Sequence, residues 1–391
     1  VNTPLNLHDL EQAARRHLPR AIFGYVASGS EDEITLRRNR AVFEGYQWLP
    51  RVLTQASSVC TSVDLWGHRY ALPFGIAPLG MSALIAYRGD QMLARTAVEA
   101  GLPMIISGSS LIRLEEIVPA CPHAWFQAYL PGQSPQIDAL LDRVAAAGIN
   151  VLVVTVDTPV AANRENHIRA GFNAPLRPGL RLLADGLLHP RWTFGTFLRT
   201  LVRHGMPHFE NNYATRGAPI VSRHVLRDFS DRSHLGWRHL QHIRSRWKGK
   251  LIIKGLLNPL DADIAVAEGA DALIVSNHGG RQLDGAASPL TVLPQIARRS
   301  PVPVMFDSGI RRGGDVLKAY ALGARMVFVG RPFIYAAAVA GQAGIAQAVE
   351  LLHAEIRRDM AMLGISRLED LDPRIHLHQR AGVLSGTGDP A

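Results

Sequence analysis

The chain has 391 residues and only two cysteines, Cys60 and Cys121. Two cysteines cannot build a disulfide framework, and they fit a reducing cytoplasm. No apolar run reaches the roughly 18 residues of a membrane-spanning helix. The opening VNTPLNLHDL is polar and carries no secretory-signal pattern, so the expected location is cytoplasmic. No G-x-G-x-x-G follows the first apolar strand, which weighs against a dinucleotide-binding open sheet. No metal site is expected.

Acidic residues are scarce in one stretch only. Net charge is +9. Residues 160–250 hold 16 Lys and Arg against 5 Asp and Glu, while the remainder is slightly acidic. The basic character therefore belongs to one insert. It reads as a solvated face, an anionic membrane surface or a nucleic-acid surface. No nucleic-acid-binding motif accompanies the charge, so nucleic acid is not an expected partner.

What is present is a regular alternation. Eight short apolar runs recur: FGIAPL (74–79), MIIS (104–107), WFQA (125–128), VLVVTV (151–156), LIIK (251–254), ALIVS (272–276), PVMF (303–306) and MVFV (326–329). Helical patterns such as DQMLARTAVEAG and DALLDRVAAAG lie between them and end at glycine. Eight strands alternating with helices predict an α/β fold, a (β/α)8 TIM barrel, with a doubly wound open sheet as the alternative. The whole chain reads as one domain. Residues 1–70 form a helical lead-in with a Ser30-x-x-Glu33 capping-box pattern, 71–159 and 251–350 the barrel, 160–250 the basic insert after strand 4, and 351–391 a C-terminal helix and tail.

Active-site groups of such a barrel gather at the C-terminal ends of its strands. Read in order, those ends carry Ala77-Pro78-Leu79-Gly80, Ser107, Gln127 with Tyr129, Thr155 with Asp157 and Arg164, and Lys254. They continue with Ser276, His278 and Arg281, then Asp307-Ser308-Gly309 with Arg311, then Gly330-Arg331. A strand-end Asp or Thr alone is more often a cap than a catalyst. Lys254 is more telling, because a buried lysine needs an anionic partner. The last two ends offer glycine N–H groups and two arginines, which suit a phosphate. Two ordinary glycine turns would look the same.

SNHGGRQLDG, KGLL, TVDTPV…NRE, DSGIRRGGD and the early YVASGSEDE together resemble the FMN-dependent L-2-hydroxy-acid oxidase/dehydrogenase family over nearly the whole chain. Within it, HPRW (189–192) and RHGMP (203–207) are most similar to the mandelate dehydrogenases. The resemblance implies FMN as cofactor and His278 as the base at the substrate C2, with Asp157 stabilising its imidazolium. It gives the carboxylate to Arg281 and Arg164 with Tyr25, and the hydroxyl to Tyr129. Lys254 would sit at the flavin N1–C2=O edge, and Gln127, Thr155 and Ser107 on the ring. Asp307, Arg311, Gly330 and Arg331 would hold the ribityl phosphate. Gly80, and Ser109 in place of a bulkier residue, would leave room for a phenyl-sized side chain. AANREN after VDTPV matches neither common form of that segment, which makes Arg164 a looser match than Arg281.

The physical chemistry of these residues agrees. A planar arginine fork grips a carboxylate. Asp157 is expected to raise the His278 pKa and the arginines to oppose it. The two glycines after His278 are expected to let the backbone approach the substrate. The function expected is oxidation of an aromatic or bulky L-2-hydroxy acid, with a quinone or another electron acceptor and a homo-oligomer, a homotetramer by the resemblance. An oxidase giving peroxide and a lactate dehydrogenase are the alternatives.

In the insert, Phe194, Phe197, Leu198, Leu201 and Val202 fall on one helical face, with Arg199 and Arg203 off it. This basic amphipathic stretch, about 177–215, is read as a contact with the inner face of the cytoplasmic membrane or as packing on the barrel. Its deletion is expected to leave a soluble, flavin-bound enzyme.

Overall fold

The computed structural model describes residues 3–54, 56, 58–172, 179–222 and 232–380. Eight parallel strands form the centre: β1 Phe74–Ile76, β2 Ile105–Ser107, β3 Trp125–Ala128, β4 Val151–Thr155, β5 Lys250–Leu256, β6 Ala272–Val275, β7 Val304–Asp307 and β8 Met326–Val329. They are hydrogen-bonded in the order β1-β8-β7-β6-β5-β4-β3-β2. A parallel bridge between Ile76 and Met104 joins the two ends and closes the barrel. Almost every strand residue is buried, because the strands face side chains inside and helices outside. Trp125 meets Phe328 edge-on at 5.3 Å across the interior.

The lead-in covers both barrel ends. A hairpin, Val63–Leu65 with His68–Tyr70, places Trp66 against Trp125 at 5.8 Å, at the N-terminal ends of the strands. Helices Leu7–His17, Arg20–Ala27 and Ile34–Ala41 lie toward the other face. Ser30 and Glu33 do not form the expected capping box. Helix Ile34–Ala41 starts after Glu33, whose carboxylate instead accepts from the Gly29 N–H at 2.9 Å. The cap comes from far along the chain: Asp284 accepts from the N–H groups of Ile34 at 3.1 Å and Thr35 at 2.7 Å. A carboxylate there satisfies orphan donors and suits the helix dipole.

Helix Trp237–Arg246 belongs to the outer ring, although it falls within the basic 160–250 stretch. It packs on helix Ser134–Ala146 through Leu240 and Ile243 and joins it by a His242–Asp138 contact of 2.7 Å. Its many Arg and His residues hid a short apolar stripe. The C-terminal helix, Arg331–Leu363, starts well before 351 and is broken at Ala340 and Gly341. It is the one described helix apolar enough by composition to cross a membrane, and it is mostly buried in the protein.

The rest of the insert carries helix Leu180–Leu188, a π-helical turn Thr193–Leu198 and helix Arg199–His204. The wide turn breaks the expected single face. Trp192 and Phe197, five residues apart, stack at 5.5 Å, and Trp192 is buried with its indole N–H on the Leu84 carbonyl. Phe194, Leu198 and Val202 point the other way into solvent, Val202 being 85% exposed. Part of the expected face thus packs on the barrel and part is bare. Deletion through 215 would also remove Asn211, which holds the Leu114 N–H and the Ile112 carbonyl, so the cut is not confined to a surface loop. The expectations for 173–178 and 223–231 of the insert and for the tail 381–391 lie outside the described residues.

Candidate active site

The C-terminal strand ends surround one cavity of about 700 Å³. Its lining includes Tyr25, Ala77, Pro78, Leu79, Gln127, Tyr129, Thr155, Arg164, Lys254, His278, Arg281, Asp307, Ser308, Gly309, Arg311, Gly330 and Arg331. Asp157 stands behind His278. Ser107 and Ser276 do not line the cavity. Ser107 lies 3.3 Å from the Gln127 side-chain oxygen, and Ser276 accepts from the Lys254 ammonium at 2.8 Å, so each orients a residue that does.

His278 sits in the left-handed region, φ 58°, at the turn after β6. Its Nδ1 is 2.9 Å from Asp157 Oδ1, and its Nε2 faces the Tyr129 hydroxyl at 3.4 Å. The Asp157 carboxylate fixes the tautomer with the proton on Nδ1 and leaves the Nε2 lone pair toward the cavity. Burial pushes the His278 pKa down. Asp157 raises it as expected, but burial, Lys254 and Arg164 together win, and the net direction is down. Burial alone would raise the Asp157 carboxyl. The interaction with His278, including its hydrogen bond, and the Lys254 charge outweigh that and hold it below the usual range. A neutral histidine beside an ionised aspartate is the form a general base requires.

A base that must be neutral loses activity as pH falls through its pKa. Because that pKa lies below the ordinary histidine value, the acid limb of kcat/KM should fall at lower pH than an ordinary histidine would give. A pH profile of kcat/KM checks this.

The two carboxylate-binding candidates are held side by side. Arg281 donates through Nη1 to the carbonyls of Tyr25 at 2.8 Å, Val26 at 3.2 Å and Ser28 at 3.2 Å, and lies over the Tyr25 ring. Arg164 donates to the Arg281 carbonyl at 3.1 Å and to Gln282 at 2.6 Å. Burial and the neighbouring Arg281 push Arg164 down to about 10. Two close guanidiniums without a carboxylate between them form a strong anion site. Tyr25 packs on Phe172 at 4.6 Å and on His167 at 5.4 Å, an aromatic wall that pattern reading missed. Phe172 could have been found only as the apolar residue closing helix Glu165–Ala170.

The anionic partner of Lys254 is Asp307. Their ion pair is 2.9 Å long, with side chains 4% and 10% exposed. Burial would lower the lysine pKa, but Asp307 and Asp157 overcome it and the net direction is up. Arg331 lines the cavity beside Gly330 and also braces the fold. Its guanidinium donates to the carbonyls of Val26 at 2.9 Å, Gly279 at 3.0 Å and Ser28 at 3.1 Å, tying the lead-in to the His278 turn. The two glycines serve that junction too, and Gly279 also lines the cavity. A Cβ on Gly279 would come within 2.7 Å of Arg331, and one on Gly280 within 2.6 Å of the Leu36 backbone.

A model of the family described as FMN-dependent dehydrogenase matches residues 14–379. The chain belongs to this family of FMN-dependent 2-hydroxy-acid dehydrogenases and oxidases. It is 35% identical to (S)-mandelate dehydrogenase of Pseudomonas putida over 94% of this chain and 92% of that one. It is 38% identical to an L-lactate dehydrogenase of Ectopseudomonas mendocina over 95% and 98%. The crystal structure of monotopic membrane (S)-mandelate dehydrogenase superposes with a TM-score of 0.90 at 34% identity, covering 97% of this chain and all of that one.

The cavity of this FMN-dependent dehydrogenase fits the cofactor. Gln127 Nε2 and Thr155 Oγ1 are buried polar atoms with no protein partner, at the place where a flavin ring edge would satisfy them. At the other end, Arg311, Gly309 and the N-terminus of the long helix at Gly330 supply a cation and backbone donors suited to a phosphate.

Proposed function

We propose that this FMN-dependent dehydrogenase oxidises an aromatic or bulky, mandelate-like L-2-hydroxy acid to the 2-oxo acid and passes the electrons to a membrane quinone. The observation that carries the reading is His278, held 2.9 Å from Asp157 and set beside the Arg281–Arg164 pair and an aromatic wall. Arg281 and Arg164 bind the substrate carboxylate. Tyr129 donates near the hydroxyl, and His278 Nε2 takes a proton from the H–C–O–H unit. Asp157 stabilises the imidazolium that results. FMN, when bound, accepts the two electrons. Gln127 and Thr155 hold its ring, Lys254 places a positive charge beside it, and Asp307 and Arg311 hold its ribityl phosphate arm.

Tyr25, Phe172, Val160 and Ile168 give the outer cavity an apolar side suited to a phenyl group. A Cβ on Gly80 would come within 3.2 Å of Ser109 and 3.6 Å of the Tyr25 hydroxyl, so glycine keeps that side open. L-lactate is the second reading, because lactate dehydrogenases match at 37–38% identity. Anaerobic titration of the flavin band tests both. Bleaching by (S)-mandelate supports the first reading. Bleaching by (S)-lactate alone discards the aromatic substrate. Fast recovery in air with peroxide makes the protein an oxidase.

The reading includes attachment to the inner face of the cytoplasmic membrane through the insert. Its support is the bare set Leu187, Leu188, Phe194, Leu198 and Val202 on a basic segment. Each such side chain buried in lipid contributes about 1.5–3 kcal/mol. Replacing Phe194, Leu198 and Val202 by Glu should therefore weaken vesicle partitioning by more than about a hundredfold, measured by sedimentation, with the FMN spectrum unchanged. The homo-oligomer that the resemblance implies is measured by light scattering.

A further inference from the structure

A second cavity, of about 490 Å³, lies on the far side of a thin wall from the active site. Its floor is Leu111, Ile112 and Arg113; its outer rim is Thr200, His204 and Met206 of the insert. The wall is built from helix Ser82–Ile85 and the loop after β2. Gly80, Met81, Ile85 and Ser109 line the active-site cavity, whereas Ala83, Leu111 and Ile112 line the second one. Ser109 and Leu111 are two residues apart, so the wall there is on the order of 7 Å thick.

Three features mark this place. The insert sits directly on the wall, through the Trp192 indole bond to the Leu84 carbonyl at 2.9 Å. The rim continues into the bare apolar residues Leu198 and Val202. The cavity itself combines apolar walls, Leu111, Met206 and Pro207, with the donors Arg113, Arg216 and His204 and the carboxylates Glu116 and Glu210. Arg113 Nε lies 3.4 Å from Glu115, Arg216 Nε 2.8 Å from Glu210, and His204 Nε2 3.0 Å from the Tyr87 hydroxyl.

We propose that this second cavity is the electron-acceptor site, taking the ring of a membrane quinone that enters along the exposed face of 193–204. The proposal rests on the quinone reading above and adds where the quinone binds. Arg113 donates to the quinone oxygens through its Nη groups and His204 through Nδ1, since Arg113 Nε faces Glu115 and His204 Nε2 faces the Tyr87 hydroxyl. The reduced flavin gives up two electrons and two protons. The quinone takes two electrons across the wall and two protons from solvent at its own mouth, where His204 stands. Its two C=O groups become C–OH, and the flavin protons leave through the substrate mouth. Substrate and acceptor thus use opposite sides of one wall.

The test uses the full-length holoprotein and Met206→Trp, which fills the cavity without touching the active site. A short-chain azido-ubiquinone is photo-crosslinked to apo- and holoprotein, and labelled peptides are mapped. Labels on 111–113 or 200–207, lost in Met206→Trp, are expected. In rapid mixing, reduction by substrate should stay within about twofold, while reoxidation by short-chain ubiquinone slows by about tenfold or more. Arg113→Gln should raise the half-saturating quinone concentration with little effect on the limiting rate. Labels confined to the substrate cavity, or unchanged reoxidation in Met206→Trp, would overturn the site. So would a cavity that binds inorganic phosphate or anionic lipid vesicles without competition from quinone. If wild-type protein reduced by substrate is not reoxidised by any quinone, the acceptor reading itself fails.

Discussion

His278→Asn should fold, bind FMN and lose roughly 10²–10⁴-fold in the rate of flavin reduction by substrate. The size follows from removing a base whose lone pair is already aimed into the cavity. Asparagine is chosen because His278 has φ 58°, a conformation that Asn tolerates and Ala does not. Its amide can also donate to Asp157 in place of Nδ1. His278→Ala adds backbone strain and leaves Asp157 short of a partner, so a larger loss of stability is expected there for the same loss of rate. Rapid mixing and urea unfolding of both variants separate the two effects. A His278→Asn protein that keeps its reduction rate would remove the proposed base.

Lys254→Met should destabilise the protein by about 3–5 kcal/mol, because it leaves Asp307 buried without its cation. Both side chains are at least nine-tenths buried, so solvent does not screen the loss. The double variant Lys254→Met with Asp307→Leu removes both charges and should recover most of that stability. It should not recover activity, since the cation beside the flavin edge and the carboxylate are both gone. Urea unfolding of the apoproteins measures the first effect, because these variants also change FMN affinity and with it ligand stabilisation. The rate of flavin reduction by substrate measures the second. If the double variant regained normal turnover, Lys254 would be a structural residue only.

Local pattern carried the barrel and the make-up of its mouth. Strand runs, glycine stops and polar strand ends depend on neighbours in sequence, and all eight runs form strands. His278 beside Arg281 is legible for the same reason, since one turn holds both. Contacts between distant segments were not legible. The Asp284 cap on helix Ile34–Ala41 spans about 250 residues. Arg331 reads in sequence only as a strand-end arginine, and only the fold shows that it also ties the lead-in to Gly279 through the carbonyls of Val26, Ser28 and Gly279.

The insert divides in the same way. Its charge and apolar content could be counted from composition. Which residues are bare depended on a π-helical turn that rotates Phe197 inward with Trp192 and leaves Phe194, Leu198 and Val202 outside. The His278 pKa shows the limit most clearly. Sequence names the aspartate that raises it. Only the folded chain decides that burial, with Lys254 and Arg164, outweighs that aspartate. The sequence by itself therefore determined the architecture and the inventory of reactive groups, because periodicity and residue chemistry are local. The tertiary structure decided their partners, their protonation and the wall between the two cavities, because desolvation and long-range contacts exist only once the chain has closed on itself.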